Sequence, residues 1–306
     1  GIDSLTLSGN ASIDTITLTV NATNYGKGAN VGTGGVNNNG SISDGTEYDG
    51  TPPTASITRS GSTCTITATD TVSGLWKIEQ INSSGTVVST TNFDTLYTTS
   101  QTTKSITLNS AAVKVKVYDG AGNSTPLEIP PLEISGTKTI SADELNGLKV
   151  TSNCTLTFNN TSAITIGDAN SLNPGIEVVP GATLTIVNNG SAAVNIYGGK
   201  YTAANNNIYY YAGIFVPSTS SCIIQGSGSG TLSAYGNYRA AGIGSNGIDV
   251  YAVEDYGNSI DCGSIYIQSG NVAAQSGNAN GGGAGIGSGG MWTSTVYTGT
   301  SIRSGD

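Results

Sequence analysis

At 306 residues, with only 10% of them charged, a formal net charge of −9 and 11 scattered Lys and Arg, the chain is long enough for two or three domains but carries no basic footprint for nucleic acid. No apolar run reaches the roughly 18 residues of a membrane span. The absence of any histidine excludes Ser-His-Asp and Cys-His nucleophile systems and removes the commonest metal ligand.

The 44 glycines would suit disorder, but 36% hydrophobic residues with 15 tyrosines and many Val, Ile and Thr suit β structure better. The chain begins with Gly and shows no signal peptide, which reads as a mature or excised fragment of something longer, and the Ser/Thr/Asn-rich composition leans extracellular. Residues 1–50 contain the alternating run TITLTV and a Gly/Asn tract, VGTGGVNNNGSISDG. They predict a β segment, or a partial copy of the next repeat, followed by a loop or linker. Alternation bounded by Gly, Asn, Asp or Pro recurs as TCTITAT, KSITLN, VKVKVYD, CTLTF and ATLTIV, so the fold class is all-β. The nearest helical candidate, SADELNGLKV at 141–150, is short and broken by Gly147.

TPP at 51–53 marks a boundary, and residues 51–131 form one unit with turns every few residues. ATDTVSGLWKI and VYDGAGNST, at their separation, resemble the motifs of bacterial Ig-like domains repeated in surface proteins. The resemblance implies an Ig-like β-sandwich of seven or so short strands, with Trp76 packed between the sheets. Asp119 to Asn123 reads as a glycine-assisted turn, and Cys64, between Thr63 and Thr65, as core. Asp70 and Asp119 at one end of the sandwich, with Asn123, offer oxygen ligands for Ca²⁺. Two metal-free Asx-type turns account for the same residues.

From about 132 the charge thins and glycine rises. Pro174-Gly175-Ile176, Ala212-Gly213-Ile214, Ala241-Gly242-Ile243 and Ala284-Gly285-Ile286 recur at spacings of 38, 29 and 43 residues. Each of the first three is followed by a strand pair. Unequal spacing fits stacked coils carrying inserted loops, such as IDVYAVEDYGNSID at 248–261. The segment 132–306 resembles the Gly-Ile-Gly-Ser repeats of right-handed parallel β-helix regions in large bacterial surface proteins, some of them labelled carbohydrate-binding. The resemblance implies a solenoid, incomplete at its C-terminal end; a second sandwich with glycine-rich hairpins is the alternative. Gly242 to Gly247 and Gly285 to Gly290 both satisfy GxGxxG, but β-prone IDVYAV and MWTSTVY follow, not the helix that a dinucleotide fingerprint needs. These glycines turn a corner.

Candidate chemistry in this half is sparse. Asp249, Glu254, Asp255 and Asp261 cluster in one insertion, shortly after Tyr235, Tyr238 and Arg239. Pectin-degrading β-helices carry an Asp-Asp pair with histidine, or an Arg or Lys beside Ca²⁺, and this chain has neither Asp-Asp nor histidine. NNNIYYYAG places Tyr209, Tyr210 and Tyr211 in a stretch too aromatic for an ordinary linker. Amphipathic rings serve sugar stacking and protein contacts alike, or form an external ladder on neighbouring coils. Cys154, Cys222 and Cys262 stand before or in strands, either as buried thiols or as a disulfide pair. The threonine rows would suit ice binding only if they lined successive coils, and they lie outside the solenoid.

The expectation is therefore a non-enzymatic extracellular module, adhesive or structural. Its ligand residues are Tyr209, Tyr210, Tyr211, Tyr235, Tyr238, Arg239 and Asp255, with Ca²⁺ at Asp70, Asp119 and Asn123 as the one cofactor considered. Its partner is a glycan or a protein on a cell surface, or a copy of itself, with no nucleic acid and no membrane span. The alternatives are a subunit of an extracellular filament built by β-strand complementation through residues 1–50, and a polysaccharide-degrading enzyme.

Overall fold

The computed structural model of the chain describes residues 49–250, 261–277, 283–289 and 291–293. Its regular elements are all strands; among the described residues there is no helix, and 143–147 of the nearest helical candidate form a turn leading into a strand. The expected segment before residue 49, the loop around Asp255 and the C-terminal stretch lie outside the described residues.

Two antiparallel sheets come first. One joins β1 (Thr54–Ser60), β2 (Thr63–Thr69) and β5 (Thr102–Thr107) in the order β1-β2-β5. The other joins β3 (Leu75–Ile81), β4 (Val87–Asn92), β6 (Lys114–Asp119) and β7 (Ser124–Glu128) in the order β4-β3-β6-β7. Strand alternation aims Cys64, Ile66 and Ala68 of β2 inward, where they share one core with Ile106, Leu75, Ile78, Val115 and Val117. Each apolar side chain of Val or Ile size buried this way contributes about 1.5–3 kcal/mol. The outward threonines of β2 meet hydroxyls on β5: Thr65 Oγ1 lies 3.3 Å from Ser105 Oγ, and Thr67 Oγ1 lies 3.2 Å from Thr103 Oγ1.

Trp76 does not pack in that core. A register irregularity between Leu75 and Lys77 sets the Trp76–Lys77 pair against Tyr118 while Leu75 and Ile78 both stay buried. The extra residue turns the indole outward, as a β-bulge does. There it meets Tyr118 edge-on at 6.5 Å, and Lys77 Nζ sits 4.3 Å from its ring centroid.

The rest is dominated by parallel pairing. One sheet contains β8 (Leu132–Ile140), β9 (Leu148–Phe158), β11 (Ile176–Val178), β12 (Thr183–Asn188), β16 (Ile214–Phe215), β17 (Ser221–Gln225), β19 (Ile243–Gly244), β21 (Ser264–Ile267) and β23 (Ile286–Gly287). A second contains β10 (Ile164–Ile166), β13 (Val194–Tyr197), β18 (Thr231–Tyr235) and β22 (Asn271–Gln275). A third, outer sheet orders β14 (Lys200–Thr202), β15 (Ile208–Tyr210), β20 (Gly247–Val250) and β24 (Met291–Thr293).

Register explains the Gly-Ile repeat. Leu132, Leu148, Ile176, Ile214, Ile243 and Ile286 are successive parallel partners, so one apolar column runs through the core. The residue before each of the last four is glycine because the backbone of the next strand passes too close for a side chain. A Cβ on Gly175 would lie 2.8 Å from the carbonyl oxygen of Gly213, one on Gly213 2.8 Å from that of Gly242, and one on Gly242 2.8 Å from that of Gly285. That approach lets Ile214 N–H reach the Gly242 carbonyl at 3.0 Å and Ile243 N–H reach that of Gly285 at 3.0 Å.

A second inward column carries Cys154, Leu184, Cys222 and Ile265. Leu184 separates the two thiols, and all four cysteines of the chain are free. Burial pushes the Cys222 thiol up to about 12, so it is an inert core group. The antiparallel and parallel regions are joined by a partly buried ion pair, Arg59 Nη2 to Glu144 Oε2 at 2.6 Å, and by Asn146 Nδ2 donating to the Ala112 carbonyl at 2.9 Å.

Candidate functional site

Two places collect side chains that the packing alone does not require. The first lies where β2, β3 and β6 end. Asp49, Asp70 and Asp119 are all buried there, and each offers a carboxylate oxygen within 4.8 Å of the others. Neutral donors hold them. Ser73 Oγ donates to Asp49 Oδ2 at 2.6 Å, Gly74 N–H to Asp70 Oδ1 at 2.6 Å, and Asn123 N–H to Asp119 Oδ1 at 2.7 Å. Burial raises the Asp119 carboxyl; hydrogen bonds from Asn123 oppose the rise, and the Asp49 and Asp70 carboxylates add to it. Asp70 and Asp119 thus do meet. The amide nitrogen of Asn123 faces inward, donating to Asp119 Oδ2 and to the Asp49 carbonyl, both at 2.9 Å, so Asn123 braces the group and brings it no oxygen. Asp49 takes the third position. It stands just after the Gly/Asn tract, where sequence alone offered only a loop.

The second place is a hairpin projecting between strands of the parallel region. β14 and β15 pair antiparallel with Lys200 opposite Tyr210, Tyr201 opposite Tyr209 and Thr202 opposite Ile208. The turn between them closes through Asn206, whose φ of 65° an asparagine tolerates better than most residues. Alternation sends Tyr201, Tyr209 and Tyr211 to one face and Tyr210 to the other. Tyr201 and Tyr209 stack with centroids 6.1 Å apart and planes at 28°, and Tyr201 is 41% exposed. Burial raises the Tyr211 hydroxyl, and the charges of Glu177, Tyr201 and Tyr209 raise it further.

The remaining aromatic candidates separate. Tyr210 is buried against Tyr238, with centroids 5.1 Å apart, and the guanidinium of Arg239 lies 5.1 Å from the Tyr238 ring. Tyr235 joins neither group. It stacks on Tyr197 at 4.9 Å and 11°, its register partner on the adjacent parallel strand, as an external ladder. Asp255 and Glu254 lie outside the described residues. Sequence reading counted Tyr201 among the tyrosines crowding this half but left it out of the ligand residues, and it did not single out Glu177. The first could have been found from its cross-strand spacing to Tyr209; the second is set by parallel register alone.

Compared with family models, with curated proteins and with solved structures, the chain matches none.

Proposed function

We propose that the chain is a non-catalytic module of a secreted or cell-surface protein, an Ig-like sandwich continued by a parallel β-helix, that presents a tyrosine-lined face to a glycan. The observation that carries this reading is the stack of Tyr201 on Tyr209, half-exposed and outside the core, on a hairpin anchored to a rigid ladder. Flat rings with a hydroxyl at one end suit the apolar face and polar rim of a sugar. Two core clusters, one per region, and the stacked Gly-Ile columns support the sandwich-plus-helix reading. The non-catalytic reading is supported by the lack of histidine. A calcium ion at Asp49, Asp70 and Asp119 belongs to the same reading, as a brace for the sandwich end.

Retention of the purified protein on a panel of insoluble polysaccharides tests the proposal. Tyr201→Ala combined with Tyr209→Ala is expected to abolish retention while circular dichroism and melting stay unchanged. Full retention by that variant, or none by the parent chain on any polymer, sinks it.

Self-association is a second reading, favoured by the far end of the ladder. Ile214 and Ile243 are 0% exposed, whereas Ile286 in the same column and Ile267 on β21 are each 44% exposed. Fibres in negative-stain images, or a mass above the monomer in light scattering, would support it.

A further inference from the structure

The threonine rows of β2 lie in the antiparallel region, but other threonines line successive levels of the parallel one. Thr137 of β8 pairs with Thr155 of β9, and Thr155 pairs with Thr185 of β12. Two residues along, Thr139 pairs with Thr157, and Thr157 pairs with Val187. Two parallel columns therefore cross three strands, broken only by valine, which has the shape of threonine. All six positions are outward, because Cys154, Leu156, Leu184 and Ile186, which alternate with them, are buried. Lys138 is the register partner of the inward Leu156, so it stands off this face. On β17 the columns continue as Ile223 and Gln225, and no charged residue stands in either column from β8 to β17. Among the described residues the five hydroxyls engage no hydrogen-bond partner. Thr65 and Thr67 of the antiparallel region, by contrast, meet Ser105 and Thr103.

We infer that the face made by Thr137, Thr139, Thr155, Thr157, Thr185 and Val187 is an ice-binding surface. The inference is independent of the glycan reading and concerns a different face. Adjacent strands lie about 4.8 Å apart, and alternate residues along one strand about 6.6 Å apart. Parallel register repeats that near-rectangular grid from level to level, as the oxygen rows of an ice surface repeat. β-Branched side chains are stiff about their first torsion, so the grid is held without further ordering. Each threonine offers a methyl group, beside which water is restricted in orientation, and a hydroxyl that can join the ordered layer. Face and occupant also match in charge. Ice is a neutral lattice, and a charged side chain would hold water in a shell of its own geometry. The six positions carry no aromatic ring on which a sugar could stack.

The experiment freezes a dilute solution of the whole chain slowly onto a cold probe, beside an unrelated globular protein. The chain is expected to enter the ice while the control protein stays in the liquid. Thr155→Lys combined with Thr185→Lys should be left in the liquid with an unchanged melting temperature. Thr65→Lys combined with Thr67→Lys should enter the ice as the parent does, since those hydroxyls belong to the other region. The habit of single ice crystals grown in the parent solution is a second measurement that needs no variant, and facets are expected. Exclusion of the parent from ice, or crystals that stay round discs, overturns the inference. So does a Thr155/Thr185 double variant that is folded and enters the ice as readily as the parent. If that variant instead loses retention on an insoluble polysaccharide, with its entry into ice unchanged, the face belongs to a sugar polymer and the inference fails. Tyr201→Ala with Tyr209→Ala should leave entry into ice intact, which keeps this test separate from that of the glycan reading.

Discussion

The antiparallel and parallel regions bury similar side chains by different rules. In the parallel region a residue's environment is inherited from the strand before it. Ile214 lies over Ile176, Ile243 over Ile214, and each is preceded by the glycine that lets the backbones meet. In the antiparallel region each strand is placed by its own turns, and one register irregularity suffices to send Trp76 to the outside. The parallel scheme is regular but unforgiving, because any error repeats against both neighbours. The antiparallel scheme absorbs local change. In both regions the candidate sites sit where the regular pattern stops, at the strand ends around Asp119 and in the hairpin inserted after β13.

The sharpest way to break this comparison is to add a side chain in the glycine column. A Cβ on Gly242 would lie 2.6 Å from the Gln275 nitrogen, 2.7 Å from the Ala234 oxygen and 2.8 Å from the Gly285 oxygen, all backbone atoms that cannot step aside. Gly242→Val is expected to cost about 4 kcal/mol, with urea unfolding as the measurement. The matched change in the antiparallel region is Gly85→Ala, where φ is +84° but nothing lies within 4 Å of the new Cβ. It should cost only about 1 kcal/mol, the price of the backbone conformation. Equal losses at the two sites would show that the parallel strands are free to shift apart.

A smaller effect separates the regions by ligand. Three buried carboxylates within 4.8 Å repel one another, and a calcium ion would relieve that. At free calcium tenfold above its Kd, mass action stabilises the site by about 1.4 kcal/mol. In a unit of this size that raises the melting temperature by several degrees. Calorimetry in calcium against a chelator should move only the antiparallel region's transition. Asp70→Asn should abolish the calcium response and leave the chelated melting temperature equal or higher, since one like charge is gone. A response that survives Asp70→Asn places the ion elsewhere.

How much of this was legible in the sequence follows from the same contrast. The Gly-Ile column was readable because parallel register repeats one local requirement at each level, so the same dipeptide recurs despite spacings of 38, 29 and 43 residues. Asp70 and Asp119 were readable as partners because both stand at strand ends bounded by glycine turns. Asp49 was hidden by its polar surroundings; only its bonds to Ser73 and Thr51 reveal its position. Tyr209 and Tyr211 were visible as aromatic residues, but whether Tyr210 belonged with them depended on which strand faced it. Glu177 gave no signal at all. Its place between Lys149 and Phe215 comes from pairing across whole levels of the ladder, and no local pattern encodes that.

The smallest effect is also the most direct measure of the bulge. A tryptophan wedged between two sheets would cost about 3–5 kcal/mol on truncation to alanine, through lost burial and the cavity left behind. Trp76 is only half-buried and touches the Tyr118 ring and the Lys77 ammonium on the outer face, with Glu79 holding that lysine at 2.5 Å. Trp76→Ala should therefore cost about 1 kcal/mol, the sum of partial burial and a surface cation–π contact. The useful pair is Trp76→Ala against Phe158→Ala, whose ring is fully buried in the parallel core, compared by urea midpoint at constant slope. If Trp76→Ala proves as costly as Phe158→Ala, the ring lies in the core after all, and the strand runs without its bulge.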